Sequence, residues 1–311
     1  MFLLKSQLKK DPIKSYGLNT IIRKYLFIPN WMPLLAYMEH GWSPLDVPSY
    51  TDINAKRYPI MLVFNKRRYN AYKNTKHNFM KILILGMPFV LYRKNKKISK
   101  KKDAKGTIAF PGHRTKLMNV EYDINNFCKE LKALSPEFQP VTVCLHSEDL
   151  QQKEIYNNLG FEVVTAGLQV DPGFVDNFYD ILSGHNYSVS NSVGSHTFYS
   201  IDLNIPFFIL GEEPTIINPL RRDPNAPEIS KPTDYKSGRE AYNLFNTGPV
   251  TYISKEQKEY VDRETGIKDA SNRMILVLYY WFYFFIGIFT GLIKKVVRKL
   301  YSIITPSPSI Q

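Results

Sequence analysis

The sequence predicts an α/β protein of two lobes, each built on a parallel sheet, with a hydrophobic helix at the C-terminal end. Three observations predict it. Between 106 and 210, short β-branched and apolar runs alternate with helix-spaced segments, which is the pattern of βαβ units. A less regular set of such runs lies between 34 and 85. Met274 to Ile293 is an uncharged stretch of 20 residues.

The alternation is clearest in the second half. Gly106–Phe110 (GTIAF) reads as a buried strand and Glu121–Leu134 as a helix. Pro140–Leu145 is a strand, and Ser147–Leu159 a helix stopped by Gly160. Phe161–Val164 is a strand, Pro172–Leu182 a helix and Tyr187–Ser190 a strand. Gly194–Leu203 is a helix and Pro206–Leu210 a strand. In the first half, Leu34–Met38, Pro59–Phe64 and Lys81–Leu85 read as strands, with a basic helix over Lys66–Lys76. The result is two Rossmann-like lobes, 1–92 and 106–253, joined by a basic linker at 93–105. Residues 254–311 form C-terminal helices, the first opened by a capping box at Ser254 and Gln257. The Pro- and Asp-rich stretch from Pro219 to Ser237 reads as loop.

The formal net charge is +13 but unevenly spread. Arg93 to Lys105 carries eight Lys/Arg against one Asp, and Lys294, Lys295, Arg298 and Lys299 form a second cluster. Such runs are ordinarily solvated faces. They also suit anionic lipid, at roughly 1 kcal/mol per basic residue near the surface. Nucleic acid is disfavoured, because no aromatics interleave the run at 93–105 and no recognition-helix or zinc-finger pattern is present. Cys128 and Cys144 have no metal-ligand spacing and read as reduced, buried thiols. The N-terminus lacks a signal-peptide run, so the catalytic part is expected in the cytosol.

The segment 274–293 is long enough to span a bilayer. Basic residues flank it on both sides, however, and Tyr279, Tyr280, Trp281 and Tyr283 cluster within it rather than at its ends. The pattern favours a helix lying in or dipping into a membrane interface. A spanning anchor and a helix packed on the protein are the alternatives.

In a parallel sheet, ligands bind beyond the carboxyl ends of the strands. The residues there are polar: Glu39-His40-Gly41, Gly112-His113-Arg114-Thr115, His146-Ser147-Glu148 and Asn191 to His196. Four of the six histidines lie at such edges. Gly194, Ser195 and His196 open a helix directly after Ser190, Asn191 and Ser192, an arrangement suited to a diphosphate. The plainer alternative is a helix cap from Ser192 or Ser195. His113, Arg114 and Thr115 suit a phosphate clamp, against the alternative of a solvated loop. His40 suits a general base, with Glu39 as its orienting partner. No Asp-x-Asp, Walker A loop, GxGxxG or Gly-x-Ser-x-Gly is present, which disfavours metal-dependent transferases, P-loop enzymes and serine hydrolases.

The order of these features over 34–212 resembles GT-B polymerases of the CDP-glycerol glycerophosphotransferase (teichoic acid) type and, more loosely, GT-B polysaccharide transferases. The features are His40-Gly41 after an early strand, Gly86-Met87-Pro88 before the linker, Pro111, Arg114 and Thr115 opening the second lobe, a strand-end His146, and Ser190-Asn191-Ser192 before a helix. The resemblance implies that His40 acts on the acceptor and that His146 takes the place of the donor-phosphate histidine. Asn191 stands where that family has an acid, and Ser147 where it often has Pro, which points to a nucleotide sugar as donor. The expected activity is transfer from a nucleotide-activated donor to a lipid-linked or polysaccharide acceptor at the cytoplasmic membrane surface, with no cofactor or metal. The alternatives are a polyol-phosphate transferase, a non-catalytic membrane-bound assembly protein and, on the same fold, a nucleotide-sugar epimerase.

Overall fold

The computed structural model describes residues 15–39, 41–48, 58–76, 81–115, 118–218 and 227–304, with side chains to 287 and at 289. His40, His77 and residues 219–226, part of the stretch expected to be loop, lie outside the described residues.

Helix α1 (Leu18–Leu26) opens the described chain. Strands β1 (Ala36–Met38), β2 (Ile60–Val63) and β3 (Lys81–Ile84) then form a parallel sheet in that order. Strand β2 is buried at every position, as a central strand covered on both faces must be. Helix α2 (Lys66–Lys73) joins β2 to β3, and the Asn65 side chain caps it by accepting the Arg68 N–H. Helix α3 (Pro88–Lys96) begins with Pro in its first turn and packs on α1.

Eight strands follow: β4 (Thr107–Ala109), β5 (Asn119–Glu121), β6 (Val141–Cys144), β7 (Glu162–Val164), β8 (Tyr187–Ser190), β9 (Phe207–Ile209), β10 (Thr215–Ile217) and β11 (Ile229–Ser230). Five of them make a second parallel sheet, in the order β7–β6–β4–β8–β9. Helices α4 (Ile124–Lys132), α5 (Lys153–Asn158), α6 (Phe174–Ser183) and α7 (Ser195–Asp202) connect these strands. The fold is α/β with parallel sheets, compatible with a Rossmann-like arrangement. One continuous apolar cluster joins the two sheets, with Leu62, Phe89, Ile108, Phe198 and Phe207 among its members. A second cluster, with Phe127, Leu131, Val143, Tyr156 and Phe208, also packs on the five-stranded sheet.

Several local expectations change. Asn119–Glu121 is a strand, not the start of a helix, and α4 begins only after its Asp123 cap. With β10 and β11 it forms a small antiparallel sheet that the strand–helix alternation does not reveal. Residues Ser147–Gln152 are 3-10 helix before α5 takes over. The basic stretch 93–105 starts inside α3 and is then anchored to α6. The Lys101 N–H donates to Ser183 O (2.9 Å), the Lys105 N–H to Gly184 O (3.1 Å), and the Lys101 ammonium pairs with Asp180 (2.6 Å). Its other lysines face solvent. Both cysteines are buried, and burial pushes their thiols up, Cys128 to about 11 and Cys144 to about 12.

Past the second sheet, α8 (Lys236–Phe245) and α9 (Lys255–Thr265) carry the chain back to the first. The capping box of Ser254 and Gln257 opens α9 as the sequence predicts. Gly266 ends it with φ of +65°, where a Cβ would lie 1.9 Å from Phe64 O, so the close approach to β2 requires glycine. Helix α10 (Arg273–Ile304) then runs beside α1, and its Tyr280 hydroxyl donates to Pro33 O (2.6 Å). Among the described residues, no helix is long and apolar enough to cross a membrane.

Candidate active site

The strand order of the second sheet creates a crevice. From β4 the chain moves outward to β6 and β7, then returns to β8 on the other flank of β4 and continues to β9. The loops leaving β4 and β8 therefore diverge at their carboxyl ends, the position at which open α/β sheets bind ligands. Phe110 N–H donates to Val189 O (2.8 Å), so the two exits run side by side. Just beyond, the Gly112 N–H donates to the Asn191 side-chain oxygen (2.7 Å).

Asn191 is fully buried, and its Nδ2 has no hydrogen-bond partner. A buried amide donor left unmatched costs about 1–3 kcal/mol, so such groups are rare without a reason. Among the described residues, the one other buried side-chain atom in this condition is Nε2 of His196. Both belong to the β8–α7 turn. Around them Ser190 accepts the Ser192 N–H (3.2 Å), and Thr197 accepts the Gly194 N–H (3.2 Å), closing the first turn of α7.

The His196 ring is folded back from the helix mouth. It stacks on Phe110 (5.2 Å between ring centres) and packs against Phe207. Burial, with a smaller contribution from His113, pulls its pKa down to about 3, against a hydrogen bond with the Ser192 backbone. It is a neutral imidazole near pH 7, a wall of the site and not a cationic phosphate ligand.

The loop after β4 places His113 at the surface, stacked on His146 at 4.5 Å. The expected roles of its neighbours change. The Arg114 guanidinium is held by the buried Asp149 carboxylate (2.8 Å) and the Glu148 carbonyl (3.1 Å), so it braces two loops instead of standing ready for phosphate. Thr115 closes its own loop, its hydroxyl accepting the Met118 N–H (3.0 Å). His146 is not available as a phosphate ligand through either ring nitrogen. Its Nδ1 accepts the Glu148 N–H (3.2 Å), and its Nε2 lies 3.1 Å from the Tyr16 hydroxyl. Burial lowers its pKa, opposed by Asp149 and Glu148. A neutral ring with Nδ1 accepting carries its proton on Nε2, toward Tyr16. Tyr16 itself holds a left-handed backbone (φ 57°), unusual for an aromatic residue, and packs edge-on against Phe174.

The first sheet reaches the same place. Beyond β1, Gly41 takes a left-handed conformation (φ +67°), and the following Trp42 N–H donates to the Ser195 hydroxyl (2.8 Å). Ser195 is thereby committed to joining the two halves. His40 lies outside the described residues, between Glu39 and this turn. Glu39, expected as its orienting partner, has partners of its own among the described residues. Its buried carboxylate accepts the Phe64 N–H (2.7 Å) and pairs with Arg68 (2.7 Å), tying β1 to β2 and α2.

One hub escaped the sequence entirely. The Glu264 carboxylate, at the end of α9, receives the Trp42 indole N–H (2.9 Å), Arg67 (3.0 Å) and Asn65 (3.3 Å). It fixes the turn that follows His40. No spacing signal marks it, because its partners lie some two hundred residues away.

The structure thus gathers the 112–115 loop, His146, and the 190–196 turn around one crevice, and brings Gly41 and Trp42 to its edge. A separate cleft of about 390 Å³ lies near the start of β8 and β9, lined by Lys100, Asn186, Tyr187 and Asn204 among others, and shares no residue with the crevice. Comparison with protein-family models, with curated proteins and with solved structures gives no match to this chain.

Proposed function

We propose that the chain is a metal-independent glycosyltransferase of the two-lobed GT-B type. It would move a sugar from a nucleotide-activated donor to a membrane-linked surface glycan at the cytoplasmic face of the plasma membrane. One observation carries the reading: the exits of both parallel sheets converge on the N-terminus of α7, where Asn191 keeps a buried amide donor without a partner.

In this reading the donor diphosphate lies across the exits of β4 and β8. It accepts from Asn191 Nδ2 and from first-turn N–H groups of α7, at the positive end of the helix dipole. His113 faces the leaving group at the surface of the crevice, and His146 positions it through the ring stack. His40 removes the proton from an acceptor hydroxyl as its oxygen bonds to the anomeric carbon. The bond from that carbon to the diphosphate breaks, and the nucleotide departs with the electron pair.

The test is nucleotide release from a panel of activated sugars and polyols in the presence of membrane glycan. His40→Ala should abolish transfer while leaving donor affinity nearly unchanged. Full turnover by that variant removes His40 as base. Turnover of a CDP-polyol instead of a sugar nucleotide makes the protein a polyol-phosphate transferase. Turnover of no donor, with no nucleotide bound, favours a non-catalytic assembly protein, a role with which the internally paired Arg114 and Ser195 are compatible.

A further inference from the structure

The outward face of α10 carries large apolar side chains left exposed by the described residues. Leu278, Phe282, Phe285 and Phe289 recur at four-, three- and four-residue steps, which sets them in one stripe, and each is more than half exposed. The opposite face is held on the protein: Leu276 and Tyr280 are buried, and Tyr280 donates to Pro33 O (2.6 Å).

A second apolar element lies alongside. Phe27 is 60% exposed and Trp31 81% exposed, in the turn that follows α1. Arg273, the first residue of α10, sets its guanidinium 3.9 Å from the centre of the Phe27 ring and donates to Tyr25 O. With the Tyr280–Pro33 bond, this lays the 27–33 turn along the first turns of α10. The turn meets the face of Arg273 and Tyr280, opposite the stripe, and so holds the helix on the protein while Leu278, Phe282, Phe285 and Phe289 face away from it.

We infer that the exposed stripe of α10 docks in the plane of an anionic lipid membrane. Three features select lipid as the occupant. The exposed groups are large aromatics and aliphatics, which partition to the headgroup–acyl boundary. The chain carries a net charge of +13, and Arg273 precedes the stripe while Lys294, Lys295, Arg298 and Lys299 follow it in sequence, which complements anionic headgroups. The helix also cannot readily span. Its first turns are fixed on the protein as far as Tyr280, and the uncharged residues beyond end at Ile293. At 1.5 Å per residue that leaves about 20 Å of helix, against a hydrocarbon core of ~30 Å. The inference names the contact through which the enzyme proposed above reaches a membrane-linked acceptor. It is tested without nucleotide, so its failure leaves the donor site untouched.

The experiment is co-sedimentation of the full chain with vesicles of phosphatidylcholine alone and of phosphatidylcholine mixed with phosphatidylglycerol. Trp281, which stacks beside Phe285, is read by fluorescence in a variant whose other two tryptophans are Phe. Binding to the anionic vesicles is expected, with a blue shift of Trp281 and release by salt or alkaline wash. Phe282→Ser combined with Phe285→Ser should weaken binding by roughly tenfold or more, because each withdraws a large apolar side chain from the interface. These positions are exposed, so the melting temperature should hold and serves as the folding control. Failure to bind anionic vesicles, or binding unaffected by the double substitution, overturns the inference. So does retention through the alkaline wash, which indicates a spanning helix. A concentration-dependent dimer without lipid binding assigns the surface to a second copy and equally overturns it.

Discussion

The backbone N–H of Trp42, just past the first sheet, donates to the hydroxyl of Ser195 at the mouth of α7, 2.8 Å away. The bond crosses 153 positions of sequence and joins the exits of two separate sheets. Ser195→Ala leaves that amide without its acceptor, at a cost of about 1–3 kcal/mol. Thermal melts should show a loss of a few degrees, and transfer should fall by more than donor affinity. Equal loss of both would mean that the contact supports only the donor half.

Asn191 offers a sharper separation of roles. Asn191→Asp keeps the acceptor for the Gly112 N–H but replaces the unpartnered amide donor with a carboxylate oxygen. Nucleotide affinity should drop by tenfold or more, about 1.4 kcal/mol, because a carboxylate repels phosphate. Isothermal titration reads the effect. An unaltered affinity places the nucleotide elsewhere.

Glu264 tests the brace behind the Gly41–Trp42 turn. Glu264→Ala strands the Trp42 indole, although the Asn65 amide keeps the Glu264 backbone carbonyl at 2.8 Å and Arg67 keeps Asp46 at 3.2 Å. The expected loss is up to about 3 kcal/mol, at the lower end for breaking a buried pair. Denaturant melts measure it. Glu264→Gln, which keeps the shape and the acceptor, should recover most of it.

Acid sensitivity should follow His196. Its pKa is about 3 in the folded chain, pulled down by burial, against an ordinary ~6.5 when unfolded. Between those values the unfolded chain binds more protons, so lowering the pH favours unfolding. The contribution to stability is complete above about pH 6.5 and is lost progressively as the pH falls toward 3. His146 and His185, also lowered by burial, act in the same sense. Melting temperature should therefore fall between about pH 7 and 5, and His196→Phe, which keeps a ring beside Phe110 and Phe207, should flatten part of that slope. An unchanged slope would remove His196 as its source.

The sequence discloses the strands of both sheets because each is a short apolar run between turn residues. It also discloses the polar exits, since fold topology places ligands there regardless of detail. What it hides is pairing. Arg114 looks like a phosphate clamp until Asp149, thirty-five positions on, takes its guanidinium. His146 looks free until Tyr16, 130 positions earlier, meets its Nε2. The antiparallel β5–β10–β11 sheet is missed because its strands are two or three residues long and half exposed, too short for any periodicity to register.

Thermal-shift measurement of the full chain against CMP, CDP, UDP and GDP asks the most direct question of the crevice between β4 and β8. One nucleotide should raise the melting temperature of the native chain, and the shift should vanish in Asn191→Asp. Stabilisation by none of the four, or a shift of equal size in that variant, contradicts a nucleotide site at the head of α7.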